Sequence, residues 1–171
     1  SSKMAGLLAS AIVADTIMFK SPTSTDRDKR VAERMARIAN ISLNELGLSI
    51  FSGPASEHSV EEMLVSDFKE FHIAGHNLGI AQMICMDSNE VMQRAPEIFE
   101  NMQAAKDKGG YDMIMLMLTD VLREGTRLLF LGDKDIIRQA FNVKVEGNDV
   151  FLPGVMSRKK QIVPMLSLLW G

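Results

Sequence analysis

A chain of 171 residues, 46% hydrophobic and 24% charged, has the composition of one good-sized soluble domain or two small ones. Its formal charge of -3 argues against the broad basic surface of a general nucleic-acid binder, so no nucleic-acid partner is expected. The single cysteine, Cys85, excludes an internal disulfide and fits a reducing, cytoplasmic compartment.

Residues 4–19 are the longest apolar stretch, but they fall short of the roughly 20 residues a membrane helix needs, and Asp15 interrupts them. No small-residue cleavage site leads into a polar start, so neither a membrane anchor nor a signal peptide is expected. There is no initiator methionine, and the chain reads as opening inside a buried helix, as though something N-terminal had been removed. Residues 6–14 are that helix, rich in Ala, Leu and Ile. Pro22 forces a loop over residues 20–25, and Thr25 or Asp26 then caps a helix through about Ala39, with Val31, Met35 and Ile38 on its apolar face. A shorter helix follows from Ser42, with Leu43, Leu46 and Ile50 in register.

Residues 51–58, with Gly53-Pro54 at their centre, are the best domain boundary in the sequence. The two parts are therefore residues 1–53 and 54–171. Ser59-Val60-Glu61-Glu62 is a capping-box pattern that opens a short helix. Phe71 and Ile73 alternate with His72 and Ala74, and Gly75-His76-Asn77 turns the chain into residues 78–86, a hairpin with one solvated and one buried strand. Asp87 or Ser88 caps a long helix to about Asp107, closed by Gly109-Gly110. Residues 113–118 and 127–131 are apolar strands, 136–141 a helix, 150–152 a strand and 162–169 a final helix. Strands alternating with helices predict an α/β fold with a mixed sheet flanked by helices.

The most distinctive segment is Ser157-Arg158-Lys159-Lys160-Gln161-Ile162-Val163-Pro164. Three adjacent cations stand between apolar segments in an acidic protein, which suggests a socket for a small, highly charged anion. A helix starting near Ser157 would set them at the positive end of its dipole, locally unfavourable by roughly 0.3–1 kcal/mol per charge unless an anion is supplied. Asp15, a carboxylate in an apolar run, is either a helix-end cap or a group held by a partner or a metal. Lys69, within Ser66-Asp67-Phe68-Lys69-Glu70-Phe71, reads by itself as a strand-edge lysine between acids. His58, His72 and His76 lack ligand spacing and read as surface or turn residues. Cys85 reads as a buried structural thiol, and the methionines read as core filler. Among Asp112, Asp120, Asp133 and Asp135, only Asp120, just after an apolar strand, stands out.

Three of these segments together carry a resemblance. Residues 6–16, ending in Ala14-Asp15-Thr16, with Phe19-Lys20-Ser21-Pro22-Thr23 after them, closely resemble the end of the metal-binding half of family II inorganic pyrophosphatases. Those enzymes belong to the DHH phosphoesterase superfamily. Val60-Glu61-Glu62-Met63-Leu64, with Asp67-Phe68-Lys69-Glu70-Phe71, is similar to the start of their DHH-associated C-terminal domain, and the Ser-Arg-Lys-Lys-Gln run is similar to that domain's signature. The resemblance implies that residues 1–53 are the last helices of a DHH catalytic domain and 54–171 a substrate-binding domain. It implies hydrolysis of diphosphate to two phosphates with manganese, cobalt or magnesium, and a homodimer as the full-length protein. Asp15 then matches a ligand of the metal pair, and Lys69, Arg158 and Lys159 match residues that hold the diphosphate and serve catalysis. In such a site a metal pair makes a hydroxide nucleophile from a bridging water, Arg158 grips two oxygens in a planar fork, and the lysines act as point charges.

The sequence departs from that family in one respect. No Asp-His-His motif is present, no two histidines are adjacent, and one carboxylate cannot assemble a metal pair. The chain therefore reads as a C-terminal fragment carrying the diphosphate clamp and one metal ligand, and by itself it is expected to be inactive. The alternatives are a related phosphoesterase, such as a short-chain exopolyphosphatase, and a non-catalytic phosphate- or diphosphate-binding module.

Overall fold

The computed structural model describes residues 1–51 and 59–171. The expected boundary over residues 52–58, and His58 with it, lies outside the described residues. The chain divides into two compact units, Ser1–Gly53 and Pro54–Gly171.

The first unit is helical: α1 (Ser2–Thr16), α2 (Asp26–Ala39) and α3 (Leu43–Phe51). Thr25 begins α2 with a reciprocal capping box, its hydroxyl accepting from the Asp28 N–H while the Asp28 carboxylate accepts from the Thr25 N–H. Ala5, Ala9 and Val13 of α1 and Ala32 and Ala36 of α2 are buried, and these small side chains let the two helices pack closely. Met4 and Leu7 on the other side of α1 are both 67% exposed.

The second unit is a five-stranded mixed sheet with helices on both faces, as the alternating pattern predicts. Its elements are α4 (Val60–Val65), β1 (Phe68–Ile73), β2 (His76–Cys85), α5 (Ser88–Met92), α6 (Ala95–Gly109), β3 (Met113–Asp120), β4 (Gly125–Leu131), α7 (Lys134–Phe141), β5 (Asp149–Pro153), a π-helical turn (Arg158–Ile162) and α8 (Val163–Trp170). The strands lie in sequence order, with β2 and β3 parallel and every other pair antiparallel.

Strand β3 is buried along its whole length, and its period of two sorts the core. Ile114, Leu116 and Leu118 face one way, packing with Ala81, Leu129, Met63 of α4 and Ile98 and Met102 of α6. Met113, Met115 and Met117 face the other way, with Leu78, Ile80, Leu128, Phe130, Ile137 of α7 and Leu166 of α8. Each such fully buried side chain contributes about 1.5–3 kcal/mol over its exposed state, so β3 is the spine of the unit. The methionine-rich face is filler, as its flexible side chains suggest.

Two local expectations are corrected. The long helix expected from Asp87 to Asp107 is two helices, because Pro96 sits in the first turn of α6 and lacks the N–H that a continuous helix needs. Asp87 is the cap of the first, accepting from the Asn89 N–H. The β1–β2 turn is Ala74-Gly75, with φ of 50° and 84°, while His76 already pairs with Ile73 inside the ladder. Both positive φ values match a two-residue hairpin turn, and Gly75 supplies the second without strain.

Candidate anion-binding site

The cationic segment begins where β5 ends. Gly154, with φ of 75°, turns the chain out of the strand, and its N–H donates to the Glu124 carbonyl in the β3–β4 turn. Ser157 caps the π-helical turn, its hydroxyl accepting from the Lys160 N–H at 3.2 Å. Its carbonyl accepts from the N–H groups of both Gln161 and Ile162, the wider spacing of a π turn. The Gln161 side chain closes the entrance: its Oε1 accepts from the Met156 and Ser157 N–H groups at 2.8 and 2.9 Å, and its Nε2 donates to the Gly154 carbonyl at 2.9 Å.

The three cations of this segment differ in environment. Arg158 is buried, and its Nη1 donates to the carbonyls of Asp67 (2.9 Å) and Ile80 (2.8 Å). Its Nη2 meets Asp67 Oδ1 at 2.7 Å, so one carboxylate and two carbonyls hold most of the planar fork. Lys159 and Lys160 are exposed, and neither side chain has a partner among the described residues.

Arg158 also brings the distant lysine into the site. Ile80, whose carbonyl it binds, is the cross-strand partner of Lys69, and Asp67 stands two residues before Lys69. Phe68 packs on the α4–α6 face, whereas Phe71 and Ile73 pack on the α7–α8 face. Alternation therefore puts Lys69, which is exposed, on the same face as the π turn and α8. Residues some 90 positions apart in the chain thus share one patch. A groove of about 500 Å³ lined by Leu64, Val65, Phe68 and Tyr111 lies on the opposite, apolar face and is not part of it.

Asp15 belongs to the first unit. It is exposed on the last turn of α1, where a carboxylate opposes the helix dipole, and it makes no capping bond among the described residues. The cap is backbone instead: Ile17, Met18 and Phe19 have φ of 50°, 52° and 66°, a left-handed turn costing about 1–2 kcal/mol per residue. Thr16 offsets part of this cost, donating to the Ile12 carbonyl at 2.7 Å and accepting from the Phe19 N–H at 3.1 Å. Among the described residues no three His, Cys, Asp or Glu side chains come together as a metal site. The described residues therefore do not by themselves fit a metal pair.

The other titratable groups serve the fold. Asp120 is fully buried and accepts from the N–H and hydroxyl of Ser88 (both 2.8 Å) and from the N–H and Nη1 of Arg123 (both 2.8 Å). Burial alone would raise its pKa, but these bonds outweigh it and hold the carboxyl below the usual range. Burial, with Asp120 and Asp87 nearby, pushes the Cys85 thiol up to about 12, so it stays protonated and inert at neutral pH. His72 bonds to Asn77, and His76 stacks on Trp170 with centroids 4.2 Å apart. Asp112 accepts from the Asn77 N–H, Asp133 caps α7, and Asp135 pairs with Arg138. No described helix is long and apolar enough to cross a membrane.

Residues 53–169 match the DHHA2 domain. The chain belongs to the DHHA2 domain family. Over 95% of its length it is 45% identical to a manganese-dependent inorganic pyrophosphatase of Methanocaldococcus jannaschii, covering 54% of that relative. Over 98% of its length it is 41% identical to a cobalt-dependent inorganic pyrophosphatase of Clostridium perfringens, covering 31% of it. A crystal structure from Methanococcus jannaschii, assigned to the family II inorganic pyrophosphatases, superposes with a TM-score of 0.86 at 43% identity, over 99% of this chain and 56% of that one. The chain thus spans about half the length, or less, of these relatives. The resemblance to family II inorganic pyrophosphatases carried by the three sequence segments is borne out by these matches. In this DHHA2 chain the sequence did not single out Asp67 and Gln161 individually, although both lie inside the resembling segments. Their signal was an acid two residues before Lys69 and an amide closing the cationic run.

Proposed function

We propose that this chain is part of an inorganic diphosphatase and supplies the cations that hold diphosphate: Lys69, Arg158 and Lys159. Residues 1–53 are, on this reading, the closing helices of the catalytic domain, and Asp15 gives one carboxylate to a metal site completed by side chains this chain does not contain. The single observation that carries the proposal is the seating of Arg158 on Asp67 and Ile80, which joins the cationic run to the strand bearing Lys69. That the relatives are named inorganic pyrophosphatases supports reading diphosphate, rather than a longer polyphosphate, as the substrate.

The chemistry of the patch suits this substrate. Diphosphate is compact and carries several negative charges, so binding it requires cations already gathered at one place. Lys69 and Lys159 are exposed point charges, free to meet oxygens. Arg158 adds positive potential from beneath, and its seat stops the segment from springing away when the anion leaves. A cytoplasmic setting suits the reduced, buried Cys85.

The test is phosphate release by the full-length protein from diphosphate and from tripolyphosphate, with manganese, cobalt or magnesium. Diphosphate is expected to be the preferred substrate, and Lys69→Ala and Lys159→Ala to lower kcat/KM by roughly one to two decades, as for charge-assisted contacts of about 1.5–3 kcal/mol. Preferential hydrolysis of tripolyphosphate would favour the exopolyphosphatase alternative. Diphosphate binding without turnover under any metal would favour the binding module.

A further inference from the structure

On the α7–α8 face the apolar rows of three strands all become polar at the same end. After Leu78 and Ile80 of β2 comes Gln82, after Met113, Met115 and Met117 of β3 comes Thr119, and before Leu128 and Phe130 of β4 comes Thr126. Thr119 and Thr126 are direct cross-strand partners and both are fully buried. This is the carboxyl end of the parallel pair β2–β3, the end at which open α/β sheets place their ligands.

The donors in this row can be assigned in one direction. Gln82 Nε2 carries two hydrogens, and they go to Thr119 Oγ1 at 3.0 Å and to the Met156 carbonyl at 3.2 Å. Thr126 gives its hydroxyl hydrogen to the Val155 carbonyl at 2.5 Å. The Thr119–Thr126 contact of 3.2 Å must then be donated by Thr119. The row thus ends on two successive carbonyls of the loop that leads into Ser157. Gln161 holds the matching N–H groups, those of Met156 and Ser157. All four polar groups of two consecutive peptide units are therefore bonded to side chains. Backbone so fully specified has few alternative conformations, and the residues after it inherit its position.

We propose that Gln82, Thr119 and Thr126 are positioning residues for the anion clamp, a hydrogen-bonded row across the sheet that fixes residues 155–157 and thereby sets where Lys159 is presented. The proposal rests on the reading that this segment holds diphosphate. None of the three residues touches the anion; they remove in advance the freedom that the loop would otherwise lose on binding.

The experiment uses the full-length protein with saturating manganese. Thr126→Val keeps the shape and removes the donor, while Thr126→Ser keeps the donor. Gln82→Met provides a second, independent break in the row if Thr126→Val fails to fold. For Thr126→Val and Gln82→Met, KM for diphosphate and the Kd of methylenediphosphonate, a non-hydrolysable diphosphate, are expected to rise about five- to tenfold. The change in kcat should stay under about twofold, and Thr126→Ser should return to near wild type. A fall in melting temperature with KM and Kd unchanged would reduce the row to a purely structural role and overturn the proposal. So would a failure of Thr126→Ser to rescue. Absence of diphosphate binding and turnover in the wild type defeats the underlying functional reading, and is distinguishable because it needs no variant.

Discussion

Strand β3 ends in two adjacent polar residues, Thr119 and Asp120, which are both fully buried and face opposite sides of the sheet. On one side Asp120 ends in a closed ionic knot: its partners, Ser88 and Arg123, belong to the start of α5 and the β3–β4 turn, and Arg123 also reaches Asp87 at 2.7 Å. On the other side Thr119 belongs to an uncharged row that runs outward to the loop before the cations. A buried polar residue at a strand end therefore says little about function until its hydrogen bonds are followed. Those of Asp120 return to the scaffold, and those of Thr119 lead to the site.

The largest expected effect comes from breaking the closed side. Asp120→Ala leaves the Ser88 N–H and hydroxyl without their acceptor and Arg123 without one of its carboxylates. Breaking a buried pair costs about 3–5 kcal/mol, and the half-exposed Arg123 can recover water, so the low end is expected. Chemical denaturation measures it. The same residue sets an acid dependence. The folded-state pKa of Asp120 is lowered, so its stabilisation is fully present above the unfolded carboxyl value of about 3.9. It is lost as pH falls through the folded value. Wild type should therefore lose stability below about pH 4, and Asp120→Asn should lose less over that window. Parallel acid profiles for the two proteins would remove Asp120 from the account.

Arg158 is the intermediate case, lying on the Thr119 side yet bonded like Asp120 into the scaffold. Arg158→Lys keeps the charge but cannot reproduce two bonds to Asp67 and one to the Ile80 carbonyl in one plane. A loss of about 1.5–3 kcal/mol is expected, appearing in both thermal stability and diphosphate affinity. Weakened affinity with unchanged stability would mean that the fork serves the anion rather than Asp67. Asp67→Asn separates the two roles further, because it removes the carboxylate charge from the seat while leaving the guanidinium and its two backbone acceptors in place.

These contrasts also mark how far the sequence could be read. The mixed sheet was legible because Met113 to Leu118 is apolar throughout and Phe71 and Ile73 flank His72 in alternation, and both patterns survive in the ladder. The break at Pro96 and the turn at Ala74-Gly75 were misjudged because helix periodicity and turn composition set an element's type more firmly than its ends. The cationic run was legible as a cluster, but its division was not. That Arg158 is buried while Lys159 and Lys160 are exposed depends on Asp67 and Ile80, roughly 80–90 residues away, and no local pattern encodes that pairing. Gln82, Thr119 and Thr126 did leave a trace, as polar residues in or beside apolar strands, but only the cross-strand pairing of Thr119 with Thr126 and the bond from Gln82 to Thr119 show that they form one row.

The smallest effect is expected at Lys160, and it tests whether position within the cationic run matters at all. Arg158, Lys159 and Lys160 are consecutive, so they leave the turn at well-separated angles, about 100° apart in a regular helix and somewhat less in a π turn. The seating of Arg158 against Asp67 fixes one of these directions toward the sheet. Its two neighbours are then exposed in different directions and cannot both face one compact anion. If Lys159 is the one that meets diphosphate, Lys160 is left to solvent. Lys160→Ala should then change both melting temperature and diphosphate affinity by no more than a few tenths of a kcal/mol equivalent, the usual range for an exposed substitution. Lys159→Ala should leave melting equally unchanged, because that side chain holds nothing in the fold, while weakening diphosphate binding about tenfold or more. Calorimetric titration of methylenediphosphonate into the two variants, with thermal melts alongside, makes the comparison directly. If Lys160→Ala proved the more damaging of the two, the clamp would be turned by one residue, and the loop held by Gln82 and Thr126 would be presenting the other lysine.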